Sequence, residues 1–221
     1  MGEFDSYSLI DFMPMGPEVY FRLFVRHNQA LWPAQIPGLI LGLVALWSAW
    51  RGRGRILGPA LGICWLWVGY TFHLKLFAEL NWAASYAGWG FVLQGLLLAG
   101  WGFAGRLDGE FHRPLGAVEY TGLGLGVFAL VAYPLLIPLS GRAWWAVELF
   151  GTAPDPTVIL TLGLLLLPAR VPWSLTVIPI LWCALSGAVW WAMSWMPGLL
   201  VPALALLFLV AAIKKGADSF P

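Results

Sequence analysis

What this sequence lacks most is charge. Asp, Glu, Lys and Arg make up 10% of its 221 residues, where a soluble domain carries about 25%. Too few polar side chains remain to wrap a globule of this size, so a soluble fold is excluded. The formal net charge of +1 removes a second class, because it leaves no basic footprint for nucleic acid. Histidine is scarce, with three residues, and the acidic residues are scattered. No CxxC, HExxH or EF-hand pattern is present, so neither a metal nor a cofactor is expected. The nearest approach to a metal set, His27, His73 and Glu79 with Met13 and Met15, has no fixed spacing. Cys64 and Cys183 both fall inside apolar runs and read as small hydrophobes rather than as a disulfide.

Targeting signals are missing as well. Glu3, Asp5 and Asp11 stand where a signal peptide would carry basic residues, so no cleavable leader is read. The opening Met1-Gly-Glu-Phe-Asp-Ser6 fits a loose myristoylation pattern, and its first four residues read equally well as a cloning scar. No Asn-x-Ser/Thr sequon occurs. A bacterial inner membrane is the simplest address.

What is abundant is apolar: 60% of the chain is hydrophobic, including fifteen Trp, so the class is integral membrane. Seven apolar segments lie at about 33–50, 56–78, 82–104, 115–139, 156–170, 173–193 and 197–213, where a span needs about 20 residues. The fifth is short, ending at Pro168-Ala-Arg-Val-Pro172, and reads as a tilted helix or a re-entrant piece. The seventh is at the short end. Ahead of them, Pro17 suits a first helical turn and Glu18 its positive end. Val19, Tyr20, Leu23 and Phe24, set against Glu18, Arg22 and Arg26, describe an amphipathic helix in the interface, with a bend at Trp32-Pro33. The expected fold is all-α: a polytopic bundle of seven transmembrane helices with an N-terminal interfacial amphipathic helix. It divides into a lead (1–16), the interfacial helix (17–32), the transmembrane domain (33–213) and a tail (214–221).

Lys and Arg set the orientation. Arg51, Arg53, Arg55, Arg106, Arg113, Arg170, Lys214 and Lys215 fall on one side, against Arg22, Arg26, Lys75 and Arg142 on the other. That asymmetry puts the N-terminus outside and the C-terminus in the cytoplasm. Trp144-Trp145 and Trp190-Trp191 fall at outer interfaces, as an aromatic belt would. Small residues four apart (Gly58 and Gly62, Ala84 and Gly88, Gly122 and Gly126, Ala184 and Ala188) permit close helix packing.

Unusual side chains concentrate between Tyr70 and Trp82. Tyr70, His73 and Phe77 share a helical face, Lys75 and Glu79 are spaced to pair, and Asn81 opens the next segment. Ionisable groups in apolar segments are costly and tend to face a bundle interior or a wet cavity. One reading is an outward-opening polar pocket in which His73 and Glu79 bind a cation or proton. The other has Lys75 and Glu79 reaching the interface and His73 bonded to a backbone carbonyl. Gln94 lies mid-segment and serves either as interhelical glue or as a ligand contact. Asn28, beside His27 and Gln29, and Glu148 fall on the same side as His73. Thr157 and Thr161 bond their own helix, Asp155 caps a helix whose first residue is Pro156, and Glu119 reads as an interfacial acid paired with Arg113, with a proton site as the alternative. Lys214 and Lys215 stand at the end of the last segment, so no Schiff-base Lys for retinal exists. The several His that a zinc-dependent intramembrane hydrolase needs are not there.

Pro17-Glu-Val-Tyr-Phe21, the run from Asn28 to Gln35, Tyr70 to Asn81, Leu149-Phe-Gly151, Pro154-Asp-Pro-Thr157, Trp182-Cys183 and Ser186-Gly187 carry a resemblance. Together they resemble a family of bacterial seven-helix membrane proteins known only as a domain of unknown function. The resemblance implies the topology and brings no catalytic or ligand residue with it. The leading expectation is a small-molecule or ion transporter or a ligand-binding membrane protein, more a binder than an enzyme. Its pocket is built from Tyr70, His73, Glu79, Asn81 and Gln94, with Asn28 and Glu148 nearby. Its partners are the lipid bilayer and a small-molecule or cation ligand, and a homo-oligomer fits as well. The alternative is a structural or assembly subunit packing on other membrane proteins or lipid. The third is a lipid-modifying enzyme, for which Ser85, Tyr86, Tyr70 and Thr71 are the hydroxyls near His73.

Overall fold

A short helix that never reaches the surface organises this chain. The computed structural model describes residues 16–108 and 115–218; the readings placed on the lead before Gly16, including Met13 and Met15, and on Arg113 lie outside them. In order come α1 (Pro17–Leu31), α2 (Gln35–Trp50), α3 (Gly54–Val68) and α4 (Ala84–Phe103). They are followed by α5 (Ala117–Val127), α6 (Leu136–Leu139), α7 (Pro154–Leu164), α8 (Val177–Ala192) and α9 (Leu200–Ala217). No strand occurs among the described residues. α3 runs on through wide π turns (Gly69–Leu76) and a 3₁₀ turn (Phe77–Glu79). α5 similarly continues through Phe128–Ala132 and Tyr133–Leu135 into α6.

Four helical stretches are long and apolar enough to cross a membrane: Gly54–Glu79, Ala117–Leu139, Trp173–Ala192 and Met196–Ala217. A fifth is added if α1 and α2, bent by 94° across Trp32–Ala34, count as one broken span. Seven such stretches are not clearly seen among the described residues, and the reasons are physical. α2 has 16 residues, about 24 Å of helix, short of a 30 Å core. α4 has 20 residues, but its Gly, Trp and Gln94 content dilutes its apolar character. The segment read at 156–170 forms a helix of only 11 residues.

That helix, α7, is the buried one. Every residue from Gly151 to Leu167 is inaccessible, so helices cover it on all sides. α3 and α4 pack antiparallel through their glycines; a Cβ at Gly62 would stand 2.7 Å from the Gly95 carbonyl oxygen. Gly122 of α5 meets the Gly163 carbonyl of α7 in the same way. Ala184 and Ala188 instead face outward. Outward-facing apolar residues are many, among them Ile40, Leu43, Leu181, Leu206 and Val210, a surface that suits lipid and not water.

α1 turns its apolar face onto the protein. Tyr20, Phe21, Leu23 and Phe24 are buried, with Phe24 stacked on Phe72 at 4.9 Å and Tyr20 edge-on to Trp190 at 5.0 Å. Its polar residues fasten the connection that follows α6. The Asn28 amide donates to the carbonyls of Trp145 and Val147, both at 2.8 Å, and His27 Nε2 donates to the Thr152 carbonyl at 3.0 Å. Gly151, at φ +77°, turns the chain into α7. The Gly151 N–H then donates to Thr157 Oγ1 at 2.9 Å, so a backbone donor freed by the turn is satisfied within the protein.

Candidate functional site

The residues expected to form one pocket are distributed over three environments. Tyr70 is half exposed and lies under the Lys75 ammonium, 4.9 Å from its ring centre. Glu79 is exposed and approaches Arg26 at 3.6 Å, so the expected partner Lys75 is not the one it takes. Asn81 is half-buried in the turn between Glu79 and α4, where its Oδ1 accepts the Ala83 N–H at 3.0 Å. His73 is fully buried among the rings of Phe72, Phe91 and Trp182, and neither of its ring nitrogens has a partner. Gln94 is fully buried, and its Nε2 donates to the Leu175 carbonyl at 2.7 Å. Asn28 is buried on α1, and Glu148 is buried in the connection that precedes α7.

Glu148 belongs to a second cluster, centred on Asp155. The expected N-cap role of Asp155 does not occur: the helix begins at Pro154, Ala153 is its cap, and no side chain caps it. The carboxylate turns into the bundle instead. Its Oδ1 accepts Trp182 Nε1 at 2.7 Å, and its Oδ2 accepts Ser186 Oγ at 3.0 Å, Trp190 Nε1 at 3.2 Å and the Tyr133 hydroxyl at 3.1 Å. Four donors on one buried carboxylate are what an ionised acid needs in apolar surroundings. The same Tyr133 hydroxyl lies 3.4 Å from Glu148 Oε2. The ion pairs among the described residues, Arg26–Glu79, Arg55–Asp108, Arg142–Glu18 and Lys215–Glu119, leave both acids out.

Residues 17–217 match a family of unknown function, DUF6064. The chain belongs to this family. No curated protein and no solved structure matches it. What the family member can do is therefore read from its own geometry.

A tyrosine hydroxyl has one proton and two lone pairs. Tyr133 therefore donates to one acid and accepts from the other. Burial raises the Asp155 carboxyl too, but the donors from Trp182, Trp190, Ser186 and Tyr133 pull it back, so the arrangement these bonds favour is Glu148 protonated, donating to the Tyr133 oxygen, and Tyr133 donating to an ionised Asp155. Burial, first, and the negative charge of Asp155, second, hold the Glu148 carboxyl well above the usual carboxylate range, against a partial opposing pull from the Tyr133 hydroxyl. Glu148 borders a crevice of about 20 Å³ that it shares with Trp190 and Trp195, enough for a water molecule. Ser186 and Trp182 border a second cavity of about 80 Å³, whose rim includes Asn81 and Tyr20. The two openings flank the acid pair. Among the described residues no group of three or more His, Cys, Asp or Glu gathers as a metal site, and the donors around Asp155 suit a carboxylate rather than a metal ion.

Tyr133, Asp155, Trp182, Ser186 and Trp190 were not foreseen as site residues. One signal existed: Trp182, Ser186 and Trp190 recur every four residues and share a face of α8. Trp190 reads as an interfacial belt residue from its neighbour Trp191, yet it is 2% exposed while Trp191 faces outward at 60%.

Proposed function

We propose that this chain is an integral membrane protein that binds a proton on the Glu148–Tyr133–Asp155 relay and links it to a small polar or cationic ligand in the adjoining cavity. One observation carries the reading: a single tyrosine hydroxyl between two buried carboxyls that have no ion-pair partner, an arrangement that calls for one shared proton. The proton moves without net loss of bonds. Glu148 gives its proton to the Tyr133 oxygen as Tyr133 gives its own to Asp155, leaving Glu148 ionised and Asp155 neutral. A neutral Asp155 donates to the Tyr133 oxygen and holds its three remaining donors less tightly, so Ser186 becomes free to donate into the cavity toward Asn81. Proton position and ligand contact are thereby coupled. The expected pocket persists in this reading at Asn81 and Glu148, with Asp155, Ser186 and Tyr133 as its working groups. His73 packs behind Trp182, and Asn28 positions the Glu148 segment.

The outward-facing apolar surface and the long apolar helices support membrane embedding. The basic residues gathered at one end support a cytoplasmic C-terminus under the positive-inside tendency, in a bacterial inner membrane. Infrared difference spectroscopy across a pH titration, on the protein in lipid nanodiscs, tests the relay. A protonated-carboxyl band at neutral pH that disappears in Glu148→Gln and shifts in Tyr133→Phe is expected. A spectrum with no such band at neutral pH would sink the proposal.

A further inference from the structure

We infer that the opposite end of the bundle holds a binding site for a monoanionic phosphate ester, in the first instance the headgroup of an anionic phospholipid. A cavity of about 620 Å³ opens there between the start of α5, the chain leaving α7 and the end of α9. Among the described residues its lining carries Arg170, Lys214 and Lys215 against Glu119 and Asp218, three cations to two anions, an excess of +1. The deep pair is already internal: Lys215 Nζ donates to Glu119 Oε1 and to the Leu166 carbonyl. Lys215 is thus turned inward, while Arg170 and Lys214 stand at the open side with exposed side chains. A guanidinium and an ammonium from two separate elements can converge on one phosphate, the guanidinium in a fork.

A second feature says what the rest of the ligand looks like. A groove of about 290 Å³ adjoins the cavity, shares Arg170 and Lys215 with it, and runs on past Val171, Trp173 and Ala212. A charged head beside an apolar groove flanked by an exposed Trp is the shape of a lipid at the interface. The excess of one positive charge matches a phosphodiester better than a dianionic free phosphate. This site is remote from the acid pair. The lipid arm rests on the membrane reading above, and the free-phosphate arm does not.

Native mass spectrometry of the detergent-purified full chain, after exchange with phosphatidylglycerol or phosphatidylcholine vesicles, tests this. Phosphatidylglycerol should be retained over phosphatidylcholine, and the preference should fall by about fivefold for each charge removed in Arg170→Gln with Lys214→Gln. It should survive in Arg51→Gln with Arg53→Gln, and in the charge-keeping Arg170→Lys with Lys214→Arg, which also controls for folding. Inorganic phosphate that raises the melting temperature and displaces phosphatidylglycerol supports the same site with free phosphate as its source. Equal retention of the two lipids with no response to phosphate overturns the inference. So does a phosphatidylglycerol preference that the Arg170/Lys214 variant leaves intact, or that the Arg51/Arg53 variant abolishes equally.

Discussion

Asp155→Asn and Glu148→Gln are both isosteric, yet they should have opposite consequences. Asp155 accepts four bonds, three of them at Oδ2. Asparagine keeps one carbonyl oxygen and turns an NH₂ to the other side. If the oxygen faces Tyr133, Ser186 and Trp190, the NH₂ meets the Trp182 N–H; if it faces Trp182, the NH₂ meets Trp190. The Tyr133 and Ser186 hydroxyls can rotate to accept, but an indole N–H can only donate. One buried indole donor is stranded either way, at about 1–3 kcal/mol, and the remaining bonds lose roughly half their strength with the charge. The sum is about 3–5 kcal/mol, and for a chain of this size that lowers the melting temperature by on the order of 10 °C. The Glu148→Gln side chain, by contrast, donates to the Tyr133 oxygen as the protonated acid does, so its cost stays within about 1 kcal/mol. pH separates the two further. The Glu148 carboxyl is raised by burial and by Asp155, so folding favours its protonated form. That stability is full below the unfolded value of about 4.3 and is lost as pH rises through the folded value. A glutamine amide does not titrate, so the Glu148→Gln variant should gain on the parent as pH rises from about 5 to 8. Thermal unfolding of the detergent-solubilised protein, followed by Trp fluorescence at both ends of that range, is the assay. A stable Asp155→Asn beside an unstable Glu148→Gln would place the proton on the other acid and refute the assignment.

Two further outcomes follow from the same contacts. Asn28→Leu leaves the Trp145 and Val147 carbonyls without their amide donor; a loss of about 2–4 kcal/mol is expected, and with it a smaller infrared carboxyl signal from Glu148, whereas an unchanged signal would detach α1 from the site. Thr161→Val removes the acceptor of the buried Trp65 N–H and should cost about 1–3 kcal/mol with no change in the pH dependence of unfolding, a null pH effect that distinguishes scaffold from relay.

Much of the architecture was legible because it rests on composition and period. Helical class, the bend after Trp32, the glycine seams at Gly62 and Gly122, and Thr157 and Thr161 bonding their own helix at 2.7 Å all follow from local rules. The number of spans did not, because hydropathy marks apolar runs and cannot tell a run that crosses lipid from one enclosed by protein. α7 is apolar for the second reason. The site was legible in part. Polar residues cluster in sequence between Tyr70 and Asn81, but the wide π turns of Gly69–Leu76 break the α-helical face that Tyr70 and His73 would share, leaving His73 inside and Tyr70 and Lys75 outside. Asp155 was hidden by its neighbours: Pro154 and Pro156 flank it, and an acid beside proline at a helix start reads as a cap. Its true partners come from α8 and from the Tyr133 turn, distances in sequence over which local rules say nothing. Glu119 shows the same limit, since its partner Lys215 lies at the far end of the chain.

The short helix and the acid pair are one feature rather than two. A chain that turns inside an apolar interior leaves backbone groups that lipid cannot satisfy, and such a turn persists only where protein encloses it. The Gly151 turn meets that condition because every residue from Gly151 to Leu167 is covered. The same enclosure supplies donors from three directions: α1 through His27 and Asn28, α8 through Trp182, Ser186 and Trp190, and the Tyr133 turn. Once the shell exists, a carboxylate at the start of α7 gains more from it than an apolar residue would, because those indole and hydroxyl donors would otherwise be stranded. Asp155→Leu should therefore destabilise the protein more than Asp155→Asn does, although leucine is the better match to the apolar surroundings. Equal or greater stability of Asp155→Leu would mean that the donors find other partners, and that the acid is not what the shell is built to hold.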